Sequence, residues 1–423
     1  MSKFRAYLER QQPLEVTEYL SVPVERSTLF VTIPCYDEPK LLSALQSLAD
    51  CEPPVSRMTV IVVVNSSDQT PSDVMSRNRQ TILSVLDWWK NLPNPFFQLR
   101  LLHAPSLPFK WAGVGWARKI AMDEAIRCLD QSGEADGILI AFDADSLVSA
   151  NYLTAIDDTF NKNPRYNFVN LNFCHLVDDP ALSPSLREGI ILYELYLRYL
   201  RNAMQWVGYP HAIHTVGSSF AVKASAYVKQ GGMNRRKAGE DFHFLHKMVL
   251  LGSYGNIHHA TVYPAARISD RVPFGTGAAL KKWEEGDTEL YSAYTLKTFD
   301  SLRPLFSDPG FFFTADQSVW EDRIGQFDPY LQNYLAQTGT PDRLNELKKN
   351  CADVKIFVKR FYHQVNAFWM IQYLNLCEST EGGKGNLVAE ASKLLAVLNL
   401  TTSTGITARE LLEIFRQLDS TGA

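Results

Sequence analysis

Gly137-Ile-Leu-Ile-Ala-Phe-Asp-Ala-Asp145 is the stretch that decides the fold. A continuous apolar run that stops abruptly at polar residues reads as a strand buried on both faces, the kind found in a parallel sheet covered by helices. Two earlier runs behave in the same way: 29–33 ends at Pro34, and 59–64 (Thr-Val-Ile-Val-Val-Val) ends at Asn65-Ser-Ser-Asp68. Between residues 28 and 150 such β-branched runs alternate with helical stretches, which predicts βαβ units. Residues 99–103 and 168–174 add two more expected strands, and 115–129 an expected helix. The fold class is therefore α/β, a Rossmann-like, mostly parallel sheet flanked by helices. Ligands in open sheets of this kind bind beyond the carboxyl ends of the strands, so the polar residues after the three runs make one candidate site.

The remainder of the chain is helical in character. Ser183 followed by Pro184 predicts the start of a long helix carrying Ile190, Tyr193, Leu197, Leu200, Met204 and Val207. Beyond residue 285 an apolar stripe from Thr340-Pro341 through Leu344, Leu347, Cys351, Val354, Val358, Phe361, Val365 and Phe368 reads as one helix. Thr407 and Glu410 form a capping box, with Ile406 placed to pack on Leu411. The segment 381–385 reads as a surface turn. These boundaries give an N-terminal extension (1–27), a main domain (28–284, divided at 150/151) and a C-terminal helical region (285–423).

Composition narrows the partners. The 42 Lys and Arg against 46 Asp and Glu give a net charge of -4, which disfavours nucleic acid. The six cysteines are scattered without a CxxC pair or metal-type spacing, which fits reduced thiols and a cytoplasmic location. No apolar run is long enough to span a bilayer, and the N-terminus has no secretory pattern. A reversible, peripheral contact with the inner face of a membrane stays open, although no polybasic amphipathic helix supports it.

Asp143 and Asp145, at i and i+2 after a strand, offer the hard oxygen ligands that Mg²⁺ or Mn²⁺ takes, and such an ion would offset the charge of a diphosphate. Taken alone, they are more readily read as turn or capping carboxylates. Pro34-Cys-Tyr-Asp-Glu38, however, resembles the first-strand signature of the family 2 glycosyltransferases. The resemblance continues through Lys110 and Gly113-Val-Gly-Trp-Ala-Arg118-Lys119, the acidic pair, Gly217-Ser-Ser-Phe220, Gly231-Gly-Met-Asn234 and Gly239-Glu-Asp241. It implies a GT-A fold and a sugar-nucleotide donor such as a UDP- or GDP-sugar. The donor would lie near Pro34, Tyr36, Asp37, Glu38, Asn65, Lys110, Arg118 and Asp143. Asn65 stands where the family usually has an aspartate, so the resemblance does not identify the base.

The same resemblance makes Asp241 the general base toward an acceptor hydroxyl and Glu240 its neighbour, in an inverting, metal-dependent transfer by a hexosyltransferase. The acceptor is a glycan, a lipid-linked glycan or a small molecule. Asp143 and Asp145 would hold the metal, with His258 or His259 as a third ligand, although a lone histidine is as readily structural. Arg267 and Arg271 read as phosphate partners and Gly275 and Gly277 as hinges of a loop over the donor, or else the segment is an ion-paired surface turn. Trp111, Trp116 and Trp206 read as core rather than stacking platforms. Two rivals were weighed. A sugar nucleotidyltransferase wants a basic Gly-rich loop after the first strand, which Pro34-Cys-Tyr-Asp-Glu38 is not. A degenerate GT-A domain that binds nucleotide or glycan without turnover is disfavoured by retention of all four carboxylates.

Overall fold

The computed structural model describes residues 2–11, 15–20, 26–236, 239–271, 275–379, 383–400 and 405–421. Within the expected turn 381–385, Glu381 and Gly382 lie outside the described residues, as do Val272, Pro273 and Phe274 of the expected loop over the donor. The chain divides into two compact units. The first comprises 1–183, 215–281 and 418–423; the second comprises 184–214 and 282–417. Residues 184–214, assigned from sequence to the main domain, thus belong to the second unit.

The first unit is built on strands β1 (Thr17–Leu20), β2 (Leu29–Cys35), β3 (Met58–Ser67), β4 (Phe97–Leu107), β5 (Ile138–Ala141), β6 (Leu147–Val148), β7 (Phe168–Phe173), β8 (Phe220–Lys223) and β9 (Tyr254–Tyr263). They form one sheet in the order β1-β4-β3-β2-β5-β8-β7-β9-β6. The block β4-β3-β2-β5 is parallel throughout, as its continuous apolar runs predict, and every residue of β2 is buried. Past β5 the sheet turns antiparallel, through β8 to β7. β7 and β9 are parallel again, and the short β6 closes that edge antiparallel to β9.

The helices, in chain order, are α1 (Lys3–Leu8), α2 (Leu41–Ala49), α3 (Ser72–Asn91), α4 (Val114–Ser132) and α5 (Tyr152–Lys162) in the first unit, and α6 (Pro184–Trp206) in the second. α7 (Ala224–Lys229) and α8 (Glu240–Leu251) return to the first unit. α4 packs on β2 and β3 and is buried on nearly every face, from Gly115 to Ile126 without a break. Its charged side chains are therefore paired rather than solvated. Lys119 donates to the Tyr7 hydroxyl at 2.7 Å and to Asp123 at 2.8 Å, and Tyr7 and Tyr227 both donate to Asp123 Oδ1. Through Tyr7, the N-terminal helix α1 is tied to α4. Glu124 pairs with Arg100 at 2.9 Å.

In the second unit, the expected single helix through residues 340–368 is three helices: Thr340–Lys349, Val354–Gln364 and Ala367–Glu378. Asp353 accepts from the Ile356 N–H at 2.8 Å and Asn366 from the Trp369 N–H at 3.1 Å. Each starts a new helix at a point where the apolar stripe shows no break, because short polar side chains cap helix N-termini by binding free backbone N–H groups. The capping box is present: Glu410 accepts from the Thr407 N–H at 2.8 Å, and the Glu410 N–H donates to Thr407 Oγ1. Buried Glu194 accepts from Arg198 and from Arg416, so this unit carries its own enclosed ion-pair network.

Candidate active site

The residues that follow β2, β3 and β5 do converge. Asp37, just beyond β2, has φ 50°, a left-handed conformation that is uncommon outside glycine. Two neighbours on α3 hold it there: Asn78 Oδ1 accepts from the Asp37 N–H at 2.9 Å, and Arg77 grips the carboxylate through Nε at 2.6 Å and Nη2 at 2.9 Å. That grip, the largest cause, pulls the Asp37 carboxyl below the usual aspartate range. Asn78 also donates to Ser66 Oγ at 2.9 Å and to the Asn65 carbonyl at 3.3 Å, so this buried amide joins the ends of β2 and β3.

Two arginine-centred clusters form the floor of the cleft. In the first, Arg118 of α4, 1% exposed, donates through Nη2 to Asp143 at 2.6 Å and through Nη1 to the Gly217 carbonyl, and its Nε stands 3.5 Å from Glu240 Oε1. Asp241 adjoins the same guanidinium. A Cβ built on Gly217 would lie 3.1 Å from both Nη atoms and 3.1 Å from Asp241 Oδ2, so a side chain there would make them give by a few tenths of an ångström. In the second cluster, Arg267 donates to Asp145 Oδ2 through Nε at 3.0 Å and Nη2 at 2.7 Å, and also to Glu38. Arg271 reaches Glu38 at 2.8 Å and the Tyr36 carbonyl at 3.0 Å.

Burial sets the protonation of the first cluster. It pushes the Glu240 carboxyl up to about 8 and Asp241 up to about 6, with Arg118 opposing both, and it raises Asp143 for the same reason. Because Glu240 and Asp241 are adjacent and coupled, they release their protons in two steps that belong to the pair. Near neutral pH the pair therefore holds about one proton between its two carboxyls. Asp241 Oδ1 is occupied by the Phe242 N–H at 2.7 Å, which leaves Oδ2 facing the Gly217 side of the cleft.

Arg267 and Arg271 thus bind carboxylates in this structure. His258 and His259 lie where β9 bulges against β7, with the His259 carbonyl accepting from Asn151. Neither joins the acidic pair: among the described residues no group of three or more His, Cys, Asp or Glu side chains is arranged to hold a metal. Lys110 is exposed, with its ammonium 4.9 Å over the Trp111 ring. Trp116 is buried, as a core residue should be, whereas Trp206, in the second unit, is only partly buried and Trp111 is 40% exposed.

Arg77 and Asn78 were missed from the sequence, since a polar pair on a helix carries no sign of which strand end it will meet. Gly115 was another. A Cβ there would fall 2.3 Å from the Arg236 carbonyl and 2.9 Å from Glu240 Cβ, so α4 can approach the Glu240-Asp241 turn only through glycine. Gly115→Ala is expected to cost about 1–3 kcal/mol by overpacking. A thermal melt reads this, and an unchanged midpoint would show that the turn moves freely.

No family model matches the chain, and no curated protein matches it. Among solved structures, S. aureus TarS 1-349 aligns with 80% of this chain and 92% of its own at 14% identity, with a TM-score of 0.37. The same protein in complex with UDP-GlcNAc aligns over the same shares at 14% identity with a TM-score of 0.39, and in complex with UDP at 15% and 0.38. Among the described residues no helix is long and apolar enough to cross a membrane.

Proposed function

We propose that the chain transfers a sugar from a nucleoside-diphosphate donor to an acceptor hydroxyl, with inversion, and that Asp241 is the general base. One observation carries this reading: a single buried guanidinium, Arg118, gathers the first carboxylate of the acidic pair, Asp143, together with the Glu240-Asp241 pair. Residues a hundred positions apart thus face one cleft beyond the parallel strands. Asp241 Oδ2, ionised above about pH 6, is the atom that would take the acceptor's proton as its oxygen attacks the anomeric carbon. Arg267 and Arg271 would exchange carboxylates for diphosphate oxygens when donor enters, which supplies positive charge where the leaving group becomes more negative.

Asp143 and Asp145 would offer a divalent ion hard oxygens two residues apart in place of the arginines they now bind. They would hold Mg²⁺ or Mn²⁺ without the two histidines. When bound, such an ion neutralises diphosphate charge. Asp145 must then release Arg267, so metal and donor are expected to bind together rather than metal alone.

Calorimetric titration with UDP, GDP and other nucleoside diphosphates, with and without Mn²⁺, tests the reading on wild type and Asp145→Ala. The expected result is one nucleotide bound in a metal-dependent way and at least about tenfold weaker in the variant, a loss of about 1.4 kcal/mol. Failure of every nucleotide at millimolar concentration removes the donor site. Binding without release of nucleotide from any nucleotide-sugar would favour a domain that recognises donors without turning them over, its Asp145 and Glu38 kept neutralised by arginine.

A further inference from the structure

Away from the arginine clusters, the first unit carries an open groove along α2. One cavity of about 610 Å³ lies between α2 and α3, and a second of about 750 Å³ lies between α2 and β6. Both are lined by Leu42, Gln46, Asp50 and Trp88, so they run into one another. The polar groups along this shared stretch are already oriented. The Trp88 indole N–H donates to Gln46 Oε1 at 3.0 Å, and Gln46 Nε2 donates to Asp50 Oδ1 at 2.8 Å. The first cavity continues onto Asp87 and Asn91, themselves hydrogen-bonded, and the second onto Ser47 and Tyr263.

The charge of the lining selects the ligand class. Among the described residues no Lys or Arg borders either cavity, and the charged side chains there are Asp50 and Asp87. Those residues offer a phosphate or a nucleotide no cationic partner. What it offers is a partly buried indole set among carboxylates, side-chain amides and hydroxyls. Vicinal hydroxyl groups donate to carboxylates and accept from amides, while the C–H face of a pyranose packs on an aromatic ring. Either cavity alone is of the size that holds a small ligand, so two in continuity suit a chain of sugar rings. We propose that this groove binds a neutral oligosaccharide, at a site distinct from the Arg118 and Arg267 clusters. Its β6 end includes Leu147, two residues after Asp145, so a bound chain lies beside the strand that leaves the acidic pair.

The proposal stands apart from the donor-site reading, and its test keeps them separate. Chitohexaose, cellohexaose and maltohexaose are titrated into the full chain by calorimetry, beside Mn²⁺ with nucleoside diphosphates as an independent probe. At least one hexasaccharide is expected to bind with a dissociation constant of about 1 mM or tighter. Trp88→Ala should weaken it about tenfold or more. Because Trp88 also packs against the core, Asp50→Lys, at an exposed position, serves as the second variant with the same expected loss. Neither substitution should alter nucleotide affinity. The proposal is overturned if no hexasaccharide binds at about 10 mM, or if binding survives both substitutions. It is equally overturned if hexalysine binds and the sugars do not, since the two aspartates then serve a cationic ligand. Sugar binding without any nucleotide binding would uphold the groove and sink the donor site.

Discussion

An Arg118→Ala protein is expected to be about 3–5 kcal/mol less stable than wild type at pH 7, because removing one member of a buried charge cluster leaves the others uncompensated. For a unit of this size the melting temperature should fall by on the order of 10 °C. Arg118 is the cation shared by Asp143, Glu240 and Asp241, and it opposes the effect of burial on all three. Without it their folded-state pKa values rise further. A carboxyl whose folded pKa lies above its unfolded value binds more protons in the folded state, so its contribution to stability falls as pH rises between the two values. In wild type that window runs from the ordinary carboxyl range up to about 8 for Glu240. The deficit of Arg118→Ala should therefore be smaller at pH 5, where the folded carboxyls are protonated, and larger at pH 8. Thermal melts of both proteins at the two pH values check this. Arg118→Met, which restores apolar bulk without charge, is expected to match alanine at pH 8 and exceed it at pH 5. Equal deficits at both pH values would mean that lost packing, rather than lost charge, is the dominant effect.

The cleft was legible from sequence wherever continuity of hydrophobicity was the signal. The runs that became β2, β3 and β5 are buried on both faces, and that alone located Tyr36 to Glu38, Asn65, and Asp143 to Asp145 at one end of a sheet. Short antiparallel strands give no such signal. β6 has two residues and β8 four, too few for an alternation to register, yet β8 places the Gly217 turn against Arg118. The pairing of arginines with acids was illegible for a different reason. Arg267 lies 122 residues from Asp145 and 229 from Glu38, so their attraction exists only after β9 has been added to the sheet. His258 and His259 illustrate the converse. Their residue type suits a metal, but they fall in a bulge of β9, and no spacing rule anticipates a bulge.

Asp241→Asn is expected to lower nucleotide release from the productive nucleotide-sugar by about 10²–10⁴-fold, the contribution of a positioned general base. Nucleotide affinity should change by less than about threefold, a difference below 0.7 kcal/mol. Asparagine preserves the volume, and its side-chain oxygen can still accept from the Phe242 N–H as Oδ1 does at 2.7 Å. It cannot take a proton. The pH profile separates this role from simple positioning. A base must be ionised to act, and Asp241 is held up to about 6 by burial against the pull of Arg118, so the wild-type rate should rise with pH through about 6 and then level. In Asp241→Asn that acidic limb should vanish, leaving a low rate that is flat across the same range. Glu240→Gln offers the complementary arm. Burial raises Glu240 above Asp241, so if the proton the pair shares rests on Glu240, the neutral amide should retain most of the rate near neutral pH. If Asp241→Asn keeps the limb near pH 6, the titrating base is another group, and Asp143, raised by the same burial, is the next carboxylate in the cluster to replace.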